Sequence, residues 1–456
     1  MPSSLHFFFS PLSWASPLDI FSIFREESSM LFYSGTPAGK FSFLPLDIQK
    51  WWTAKRGEKG FLEGLESRFE ELKNQREAIP KNIPFPFTGG FCGAFAYDAV
   101  QQWENIPENK EMNESLPTAV FAEYDAGMVF DHETEQMWYF SWEKNDQAFE
   151  EKKNKVQQKI LENAQKESPI TPPQVSWWAP EIAKEEYLSR FSSCQKALLD
   201  GRSFQINFSQ KFTAKSSSHS WDIFCALVKK NPAPMMFFGE FGHDKSRPYE
   251  NAFSILSCSP ERLFSLDQNR TIFTQPIAGT RKRSQNAEED ENLAEELKNS
   301  AKENAEHIML VDLLRNDFGR IAKFGSVQVS ELGRIERYAS VMHLVSDIVG
   351  VLDDQKTVFD LIKAVFPGGT ITGAPKVETM KILAEEEKSS RNFYCGSAGY
   401  ISFSGEADFN ILIRTIEKEG EMLSLRVGGG LTVVSDAKQE YEETLHKARG
   451  VMGALK

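Results

Sequence analysis

The sequence has 456 residues, a net charge of -13 at pH 7 and a hydrophobic share of 41%. This length allows two or three ordinary domains with extended apolar cores, and the composition is that of a globular protein, not of a tail or a fibre. An acidic chain is not expected to bind nucleic acid or an anionic membrane surface, so small molecules and other proteins are the expected partners.

Five cysteines are spread along the chain without a CxxC pair. This spacing fits neither a disulfide framework nor a zinc site, so we predict reduced thiols in a cytoplasmic protein. The N-terminal stretch MPSSLHFFFSPLSWASPL has a short apolar patch without a preceding basic residue, and no apolar run approaches the roughly 20 residues of a membrane span. We therefore expect neither secretion nor membrane insertion.

Two regions are predicted, with a boundary near Pro172. Residues 150–167 are almost all Lys, Glu, Gln and Asn and are followed by SPITPPQ, which predicts a solvated helix and a proline-rich connector. Residues 1–172 contain the glycine cluster GGFCGAFAYD, which is typical of a strand closely approached by other backbone. This region shows no catalytic constellation of its own and is predicted to support residues 173–456.

After the boundary, helical and strand periodicities follow each other. KEEYLSRFSSCQKALLDG predicts a helix that ends at Gly201. In SFQINFSQKF, Phe204, Ile206 and Phe208 alternate with polar residues, which predicts a strand with one polar face.

The rest of the chain continues this irregular order. AEEDENLAEELKNSAKENAEHIMLVDLLRND predicts one long helix, and FDLIKAV and VETMKILAEEE predict two more. YCGSAGYISFS, DFNILIRTIEK and MLSLRVGGGLTVVS predict strands, and AKQEYEETLHKARGVMGAL predicts a last helix. Strands separated by helices in this way predict α+β or α/β layers.

The glycine-rich stretch FPGGTITGAPK, residues 366–376, invites comparison with the phosphate-binding loop GxxxxGK[ST]. Ala374 and Pro375 separate Gly373 from Lys376, however, and no Ser or Thr follows the lysine. A nucleotide-binding interpretation is therefore weak.

Glutamates recur at helical spacing in two places. Glu303 and Glu306 are three residues apart, and Glu440, Glu443 and Lys447 share a stripe of the last helix. For each helix alone, a solvated face is the simpler interpretation. Both pairs together suggest magnesium, which is held by one or two carboxylates plus water and substrate oxygens, although spacing does not show that the two helices meet.

Two glycine-bearing turns, in PIAGTR (276–281) and RVGGGL (426–431), are able to present backbone N–H groups to an anion. Arg414, predicted to lie on a strand, is suited to clamp a carboxylate through two hydrogen bonds. A simple tight loop explains each turn equally well.

The order of the motifs resembles that of the chorismate-utilising enzymes, which include the large subunits of anthranilate synthase and aminodeoxychorismate synthase and also isochorismate and salicylate synthases. The resemblance covers essentially everything after Pro172. It implies an α+β (two-layer α/β) fold, with β-sheets packed face to face and helices outside. The motifs are SPERLF (259–264), PIAGTR, AEHIMLVDLLRND (305–317), HLVS (343–346), FPGGTITGAPK, YCGSAGYISF, IRT (413–415), GGGL and EYEETLHKA (440–448).

The N-terminal region extends the resemblance to the amine-forming members. SMLFYSG (29–35) resembles the segment that holds tryptophan in those subunits, which implies a tryptophan site at Ser34, and GGFCGAFAYD resembles their glycine-rich strand. Residues 1–172 thus resemble the N-terminal domain of anthranilate synthase component I, and residues 173–456 resemble its chorismate-binding catalytic domain.

The resemblance also implies a metal and its ligands. Mg²⁺ would be held by Glu306 and Glu443, with Glu303 and Glu440 beside them, and would bind the ring carboxylate of chorismate. The groups implied for the enolpyruvyl carboxylate are Arg414, Tyr394, Lys447 and the backbone of Gly428, Gly429 and Gly430.

By the same resemblance, Glu261 and His343 would handle the proton that is needed when the 4-hydroxyl leaves. A carboxyl held protonated by burial or by neighbouring anions is the general acid expected for so poor a leaving group. FPGGTITGAPK would be the active-site loop, in which backbone and Thr372 crowd the substrate, so that it cradles a carboxylated ring and not a triphosphate.

Gln205 bears on the nucleophile. Isochorismate and salicylate synthases add water and carry a lysine base at this position, and a neutral amide cannot take a proton from water. Ammonia needs no such base, which favours the two amine-forming synthases.

Four variants favour aminodeoxychorismate synthase over anthranilate synthase: Asn207, PGGTITGAPK, RNFYCGS (391–397) and GGG. Ala278 favours the alternative, because many aminodeoxychorismate synthases have a lysine there that is proposed to attack C2. Without that lysine, regiochemistry would depend on how Thr280, Gln205, Asn207 and the GGTITG loop place the ring and ammonia.

Two further points concern partners. A non-catalytic chorismate or tryptophan sensor ranks last, because Glu261, Glu306, His343 and Glu443 are all present. The sequence has no glutaminase-like nucleophile motif, so ammonia is expected to come from a separate glutamine amidotransferase subunit.

Overall fold

The computed structural model describes residues 4–36, 39–109, 111, 113, 115–163, 171–242, 252–337 and 341–455. The first part of the chain forms, in order, β1 (His6–Leu12), α1 (Pro17–Phe24), β2 (Met30–Tyr33), β3 (Phe41–Ala54), α2 (Phe61–Asn74), β4 (Gly90–Phe95), β5 (Ala119–Asp131), β6 (Gln136–Glu143) and α3 (Asp146–Asn163).

The second part begins with β7 (Ala179–Pro180), α4 (Lys184–Leu199), β8 (Gln205–Lys215), α5 (Ser220–Lys230), β9 (Met235–Phe241), β10 (Phe253–Ser259), β11 (Arg262–Leu266), β12 (Thr271–Thr274), β13 (Ile277–Lys282), α6 (Ala287–Asn299) and α7 (Ala301–Gly319). It continues with β14 (Gln328–Arg337), β15 (Val341–Val351), α8 (Val358–Val365), β16 (Gly373–Ala374), α9 (Lys376–Glu386), β17 (Ser397–Ser402), β18 (Ala407–Asn410), β19 (Thr415–Glu419), β20 (Met422–Leu431) and α10 (Ala437–Met452).

Strands from the two parts of the chain pair with each other in an antiparallel arrangement. β4 pairs with β17, where Gly93 lies opposite Gly399, and β2 pairs with β9. A Cβ added at Gly93 would lie 2.1 Å from the carbonyl oxygen of Val120 on β5, so only glycine allows β4 to approach β5 this closely. The predicted glycine-rich strand is confirmed.

The hydrophobic core is also shared between the two parts. The ring of Phe95 on β4 lies 6.2 Å from that of Phe409 on β18, and Phe121 on β5 packs on the same ring. The predicted boundary near Pro172 stays a prediction, because residues 164–167 of the predicted helix and 168–170 of the predicted connector lie outside the described residues. The helix predicted before them is confirmed as α3.

The helices α4, α8, α9 and α10 and the strand β8 agree with the sequence predictions. The one long helix predicted before residue 317 is wrong, because it is two helices, α6 and α7. Ser300 between them has extended backbone (φ -65°, ψ 111°), and its side chain accepts a hydrogen bond from the backbone N–H of Glu303. This N-cap begins α7 as a helix separate from α6.

Two local predictions also need correction. Phe204 precedes β8 and is 65% exposed, whereas Ile206 and Phe208 are buried as expected. DFNILIRTIEK is not continuous strand, because it divides into β18 and β19. Arg414 lies in the interruption with φ +51°, a left-handed conformation that turns it out of the strand geometry.

No helix within the described ranges combines the length and the apolar character that crossing a bilayer requires. All five cysteines are buried free thiols. Burial raises the pKa of the Cys92 thiol well above its usual value, so it is a poor nucleophile.

Candidate active site

Glu261 is a buried carboxyl that follows β10. Its Oε1 accepts a hydrogen bond from the Thr370 hydroxyl at 2.8 Å. Burial raises the pKa of Glu261 to about 7, and the Thr370 hydrogen bond and the positive charge of Arg414 oppose that rise. At neutral pH a substantial fraction of this carboxyl is therefore protonated, as a general acid requires.

His343 lies on β15 opposite Thr280 of β13, and His343 Nδ1 is 2.9 Å from Thr280 Oγ1. Burial, together with the charge of Arg414, lowers the pKa of His343 to about 4. The imidazole is therefore neutral at pH 7.

Arg414 joins these groups, since its charge acts on both Glu261 and His343. Its side chain is open to solvent, yet surrounding protein lowers its pKa. Both observations hold for a guanidinium that water reaches while protein encloses most of the side chain. Arg414 is thus near enough to Glu261 and His343 to act on both, and Thr280 contacts His343.

The glycines of β20 lie beside a second set of side chains. A Cβ added at Gly428 would be 3.0 Å from the Tyr394 hydroxyl and 2.7 Å from Asn207 Oδ1. Lys447 Nζ donates to the carbonyl oxygen of Gly428 at 3.0 Å and pairs with Glu443 at 2.8 Å. Any side chain at Gly428 would therefore fill the space between these polar groups.

The glutamates of α7 and α10 approach the same short stretch of β20. A Cβ added at Gly430 would be 3.1 Å from Glu306 Oε1, and one added at Gly429 would be 3.8 Å from Glu443 Oε1. Gln205 Nε2 donates to Glu306 Oε1 at 2.7 Å. The two helices thus each place a glutamate near β20, although Gly429 and Gly430, as neighbours on a strand, point to opposite faces.

Glu303 and Glu440 have other contacts. Glu303 lies 3.4 Å from Arg281, and the buried Glu440 accepts a hydrogen bond from Ser435 at 2.9 Å. Within the described part of the chain, no group of three or more His, Cys, Asp or Glu side chains is arranged to hold a metal. Carboxylate oxygens are the donor type that Mg²⁺ takes, with its remaining ligands from water and substrate, and the metal site stays a prediction.

The loop FPGGTITGAPK contributes differently from the sequence-based expectation. Thr372 is fully buried, and its hydroxyl donates to the carbonyl oxygen of Gly368 at 2.9 Å, within the loop itself. Thr370 is the residue whose hydroxyl reaches the acid. The motif offers two threonines two residues apart, and no sequence signal distinguishes them.

Lys376 does not face a ligand. Its Nζ lies 2.6 Å from Asp317 and 2.9 Å from the carbonyl oxygen of Val365, and its side chain is only 10% exposed. The lysine that invites comparison with a phosphate-binding loop is therefore an internal support of that loop.

A buried ion pair below the loop was not predicted. Arg391 pairs with Glu387 at 2.8 Å and donates to the carbonyl oxygens of Ile371 and Asn207 at 2.8 and 2.6 Å. The sequence predicts for RNFYCGS only a difference between two activities. In the structure, Arg391 also joins the loop to β8. The only sign of this role in the sequence is an arginine beside apolar and small residues.

Ser34 follows β2 and is buried. Its hydroxyl donates to the carbonyl oxygens of Thr36 and Gly39, at 2.9 and 2.6 Å. Tryptophan binding at Ser34 stays a prediction.

The chain matches a known protein family over most of its length. Residues 32–453 match the model of a family described as chorismate binding enzyme. The chain belongs to this family. The predicted family and fold class are therefore confirmed, and the chain is a chorismate-utilising enzyme.

Relatives with two different activities are similar to this chain at comparable identity. Anthranilate synthase component 1 of Aquifex aeolicus is 33% identical over 96% of this chain and 92% of its own length. Aminodeoxychorismate synthase component 1 of Salmonella typhimurium is 35% identical over 94% and 93%. The crystal structure of anthranilate synthase component I from Streptococcus pneumoniae superimposes with a TM-score of 0.78, at 30% identity, over 91% of this chain and 93% of that one.

Proposed function

We propose that this chorismate-binding enzyme aminates chorismate with ammonia to give 4-amino-4-deoxychorismate, the ammonia being supplied by a glutamine amidotransferase subunit. The observation that carries the proposal is the contact between Asn207 and the loop that holds the acid. Asn207 Nδ2 donates to the carbonyl oxygen of Thr370 at 3.2 Å, and the hydroxyl of the same Thr370 donates to Glu261. A residue that favours aminodeoxychorismate synthase thus contacts the threonine that hydrogen-bonds the proton donor.

The choice of ammonia over water rests on Gln205. Its amide is neutral and donates to Glu306, so it has no basic atom with which to activate water. Ammonia is already a nucleophile and needs only to be placed beside the ring.

The reaction replaces a C4–O bond with a C4–N bond. The Glu261 carboxyl gives its proton to the leaving hydroxyl, which departs as water, and the proton that the added nitrogen loses restores the acid. The neutral imidazole of His343, held against Thr280, is suited to hydrogen-bond the ring substituents without adding charge. Arg414 is the cation for a carboxylate of the substrate.

A metal is part of the same proposal. Glu306 and Glu443 would hold Mg²⁺, with Glu303 and Glu440 near them, and the ion would supply positive charge for a substrate carboxylate. Lys447, Tyr394 and the backbone of Gly428 to Gly430 would then face the second carboxylate.

Anthranilate synthase activity is the second candidate, and Ala278 favours it. This residue is buried on β13, so no side-chain amine is present there to attack C2. An anthranilate synthase would aminate C2 and then eliminate pyruvate, whereas amination at C4 keeps the enolpyruvyl ether.

Release of pyruvate separates the two candidates. The purified chain with chorismate, Mg²⁺ and ammonium is expected to yield 4-aminobenzoate and pyruvate only after a separate aminodeoxychorismate lyase is added. Fluorescent anthranilate and pyruvate without that lyase would replace the proposed activity with the alternative.

A further inference from the structure

We propose that Arg391 is a positioning residue for the proton donor: its guanidinium fixes the backbone beside Thr370, so that the Thr370 hydroxyl meets the carboxyl of Glu261. The inference goes beyond the proposed function and rests on it only in taking Glu261 as the proton donor. Arg391 acts through the loop that carries Thr370 and is not itself a catalytic residue.

The guanidinium of Arg391 is enclosed by protein and held in one orientation. Arg391 and Glu387 are both 2% exposed, and two hydrogen bonds of 2.8 Å join them, from Arg391 Nε to Glu387 Oε2 and from Nη2 to Oε1. The ring of Tyr97 lies beside the guanidinium, with its centroid 4.7 Å from Cζ. This two-bond arrangement fixes the plane of the guanidinium, which a single contact would leave free to turn.

Two further hydrogen bonds from Arg391 reach the segments that hold Thr370. Nη1 donates to the carbonyl oxygen of Ile371 at 2.8 Å, and Nη2 donates to the carbonyl oxygen of Asn207 at 2.6 Å. Ile371 directly follows Thr370, so the first bond fixes the chain immediately after the threonine. The second bond fixes β8 relative to the same guanidinium.

β8 holds the same stretch of the loop. Asn207 donates through Nδ2 to the carbonyl oxygen of Thr370 at 3.2 Å and through its backbone N–H to that of Thr372 at 2.9 Å. Glu387 Oε1 accepts hydrogen bonds from the backbone N–H and the hydroxyl of Ser209 at 3.0 and 2.6 Å, so the ion pair is also bonded to β8. The carbonyl oxygens of three consecutive loop residues are thus each bonded to Asn207 or to the guanidinium.

This set of bonds determines where the Thr370 side chain points. A threonine has few allowed rotamers, so the direction of its hydroxyl follows from the backbone that carries it. With that backbone fixed, the hydroxyl donates to Glu261 at 2.8 Å, and this bond favours the charged carboxylate. Releasing the backbone should weaken the bond and raise the pKa of Glu261, because burial, which favours the protonated form, then meets less opposition.

Two arginines lie near Glu261. Arg414 favours the carboxylate by its charge, and Arg262, the next residue in the chain, is paired with Asp408 at 2.8 Å. The loop hydrogen bond and the charge of Arg414 therefore both oppose the effect of burial. A change at Arg391 tests the first of these effects and leaves the second in place.

The test is the alkaline limb of kcat/KM in Arg391→Lys, measured with chorismate, Mg²⁺ and ammonium. Lysine keeps a cation beside the carboxylate of Glu387, but one ammonium cannot replace the four directed hydrogen bonds of the guanidinium. The limb is expected to move to higher pH by about one unit relative to the wild type, as for Thr370→Val. The double variant should show no further shift, because both changes remove the same hydrogen bond.

Arg76→Lys is the matched control. Arg76 is also an enclosed arginine, with a side chain 3% exposed; it pairs with Asp125, donates to the carbonyl oxygen of Leu72 at 2.8 Å and lies over the ring of Phe403. The same substitution there should lower the melting temperature, while the alkaline limb stays at its wild-type pH. This control separates a loss of stability from a loss of positioning.

The outcomes distinguish this role from the proposed function. A folded Arg391→Lys variant with the wild-type limb, with a shift that adds to that of Thr370→Val, or with a shift that Arg76→Lys also shows would overturn the positioning role and leave the activity intact. A wild-type chain without an alkaline limb, or an active Glu261→Gln variant, would overturn both. Should Arg391→Lys not fold, Arg391→Gln with Glu387→Gln removes both charges and is judged by the same limb.

Discussion

Thr370 and Glu261, 109 positions apart in sequence, are joined by a hydrogen bond of 2.8 Å from the threonine hydroxyl to the carboxyl. The bond stabilises the charged form of Glu261, whereas burial stabilises the protonated form, and the balance leaves the pKa at about 7. The loop thereby adjusts the protonation of the acid in the range where the enzyme would work.

The pH dependence of the reaction tests this balance. Because only the protonated carboxyl donates, kcat/KM should fall as the pH rises through about 7. Thr370→Val removes the hydrogen bond that favours the carboxylate, so the pKa rises and the alkaline limb should move to higher pH by about one pH unit. Glu261→Gln should be inactive across the range. A limb that moves to lower pH in Thr370→Val would contradict the assignment.

The same pKa affects stability in a known direction. The folded pKa of Glu261 lies above its unfolded value, so between the usual carboxyl range and about pH 7 the unfolded chain has already lost a proton that the folded chain keeps. The free energy of unfolding contributed by this group therefore decreases as pH rises through that window. Glu261→Gln should flatten this part of the dependence of unfolding free energy on pH in urea titrations.

The metal proposal is tested by Glu306→Gln and Glu443→Gln. Partners outside a metal's own ligands already contribute 10- to 100-fold, so losing a ligand should lower Mg²⁺-dependent activity roughly 100-fold or more without unfolding the protein. Glu442→Gln is the control, because Glu442 is 57% exposed and pairs with Lys184 on the surface. Near-normal magnesium-dependent rates in both test variants would make the metal assignment wrong.

Local patterns predicted much of the fold because periodicity reports which face of an element is buried. The polar face of β8, which carries Gln205 and Asn207, and the helices α8 to α10 are of this kind. The break at Ser300 was missed, since a serine inside a helical pattern is also compatible with an exposed position. Its capping contact with the backbone of Glu303 shows that a new helix begins there.

Contacts between distant segments could not be predicted from the sequence. Motif order indicated Glu261 and the FPGGTITGAPK loop separately, but which threonine meets the acid depends on how the loop folds back on itself through Thr372. Likewise the left-handed backbone of Arg414 follows from its place between β18 and β19, which a single predicted strand conceals. In an irregular segment, the direction of a side chain is set by tertiary contacts, which a local pattern does not show.

Ammonia should be the only nitrogen source that the chain uses alone. We expect turnover with ammonium but not with glutamine, because a glutaminase needs a reactive thiolate and burial raises the pKa of Cys92, Cys194, Cys225, Cys258 and Cys395. Adding a glutamine amidotransferase subunit should confer glutamine-dependent activity. Glutamine-dependent turnover by the pure chain would contradict the requirement for a partner.

The last prediction concerns Lys376, whose place in a glycine-rich motif suggests ligand binding and whose contacts indicate support. Its ammonium and the carboxylate of Asp317 are both nearly buried, 2.6 Å apart, and Arg320 contacts the same carboxylate at 3.1 Å. Burial lowers the pKa of Lys376 and raises that of Asp317, and each partner opposes the shift in the other. Removing the lysine alone would leave a buried carboxylate without its main counter-charge.

Lys376→Met should therefore lower the free energy of unfolding by about 3 kcal/mol, measured by urea denaturation at pH 7. Lys381→Met is the matched control on the same helix, because Lys381 is 40% exposed and its pairing with Glu378 is long, at 3.9 Å, so its loss should change stability by less than about 0.5 kcal/mol. The double variant Lys376→Met with Asp317→Leu should recover part of the loss, since no unpaired charge then remains in the interior. A Lys376→Met variant as stable as the control but unable to bind substrate would instead assign this lysine to the ligand.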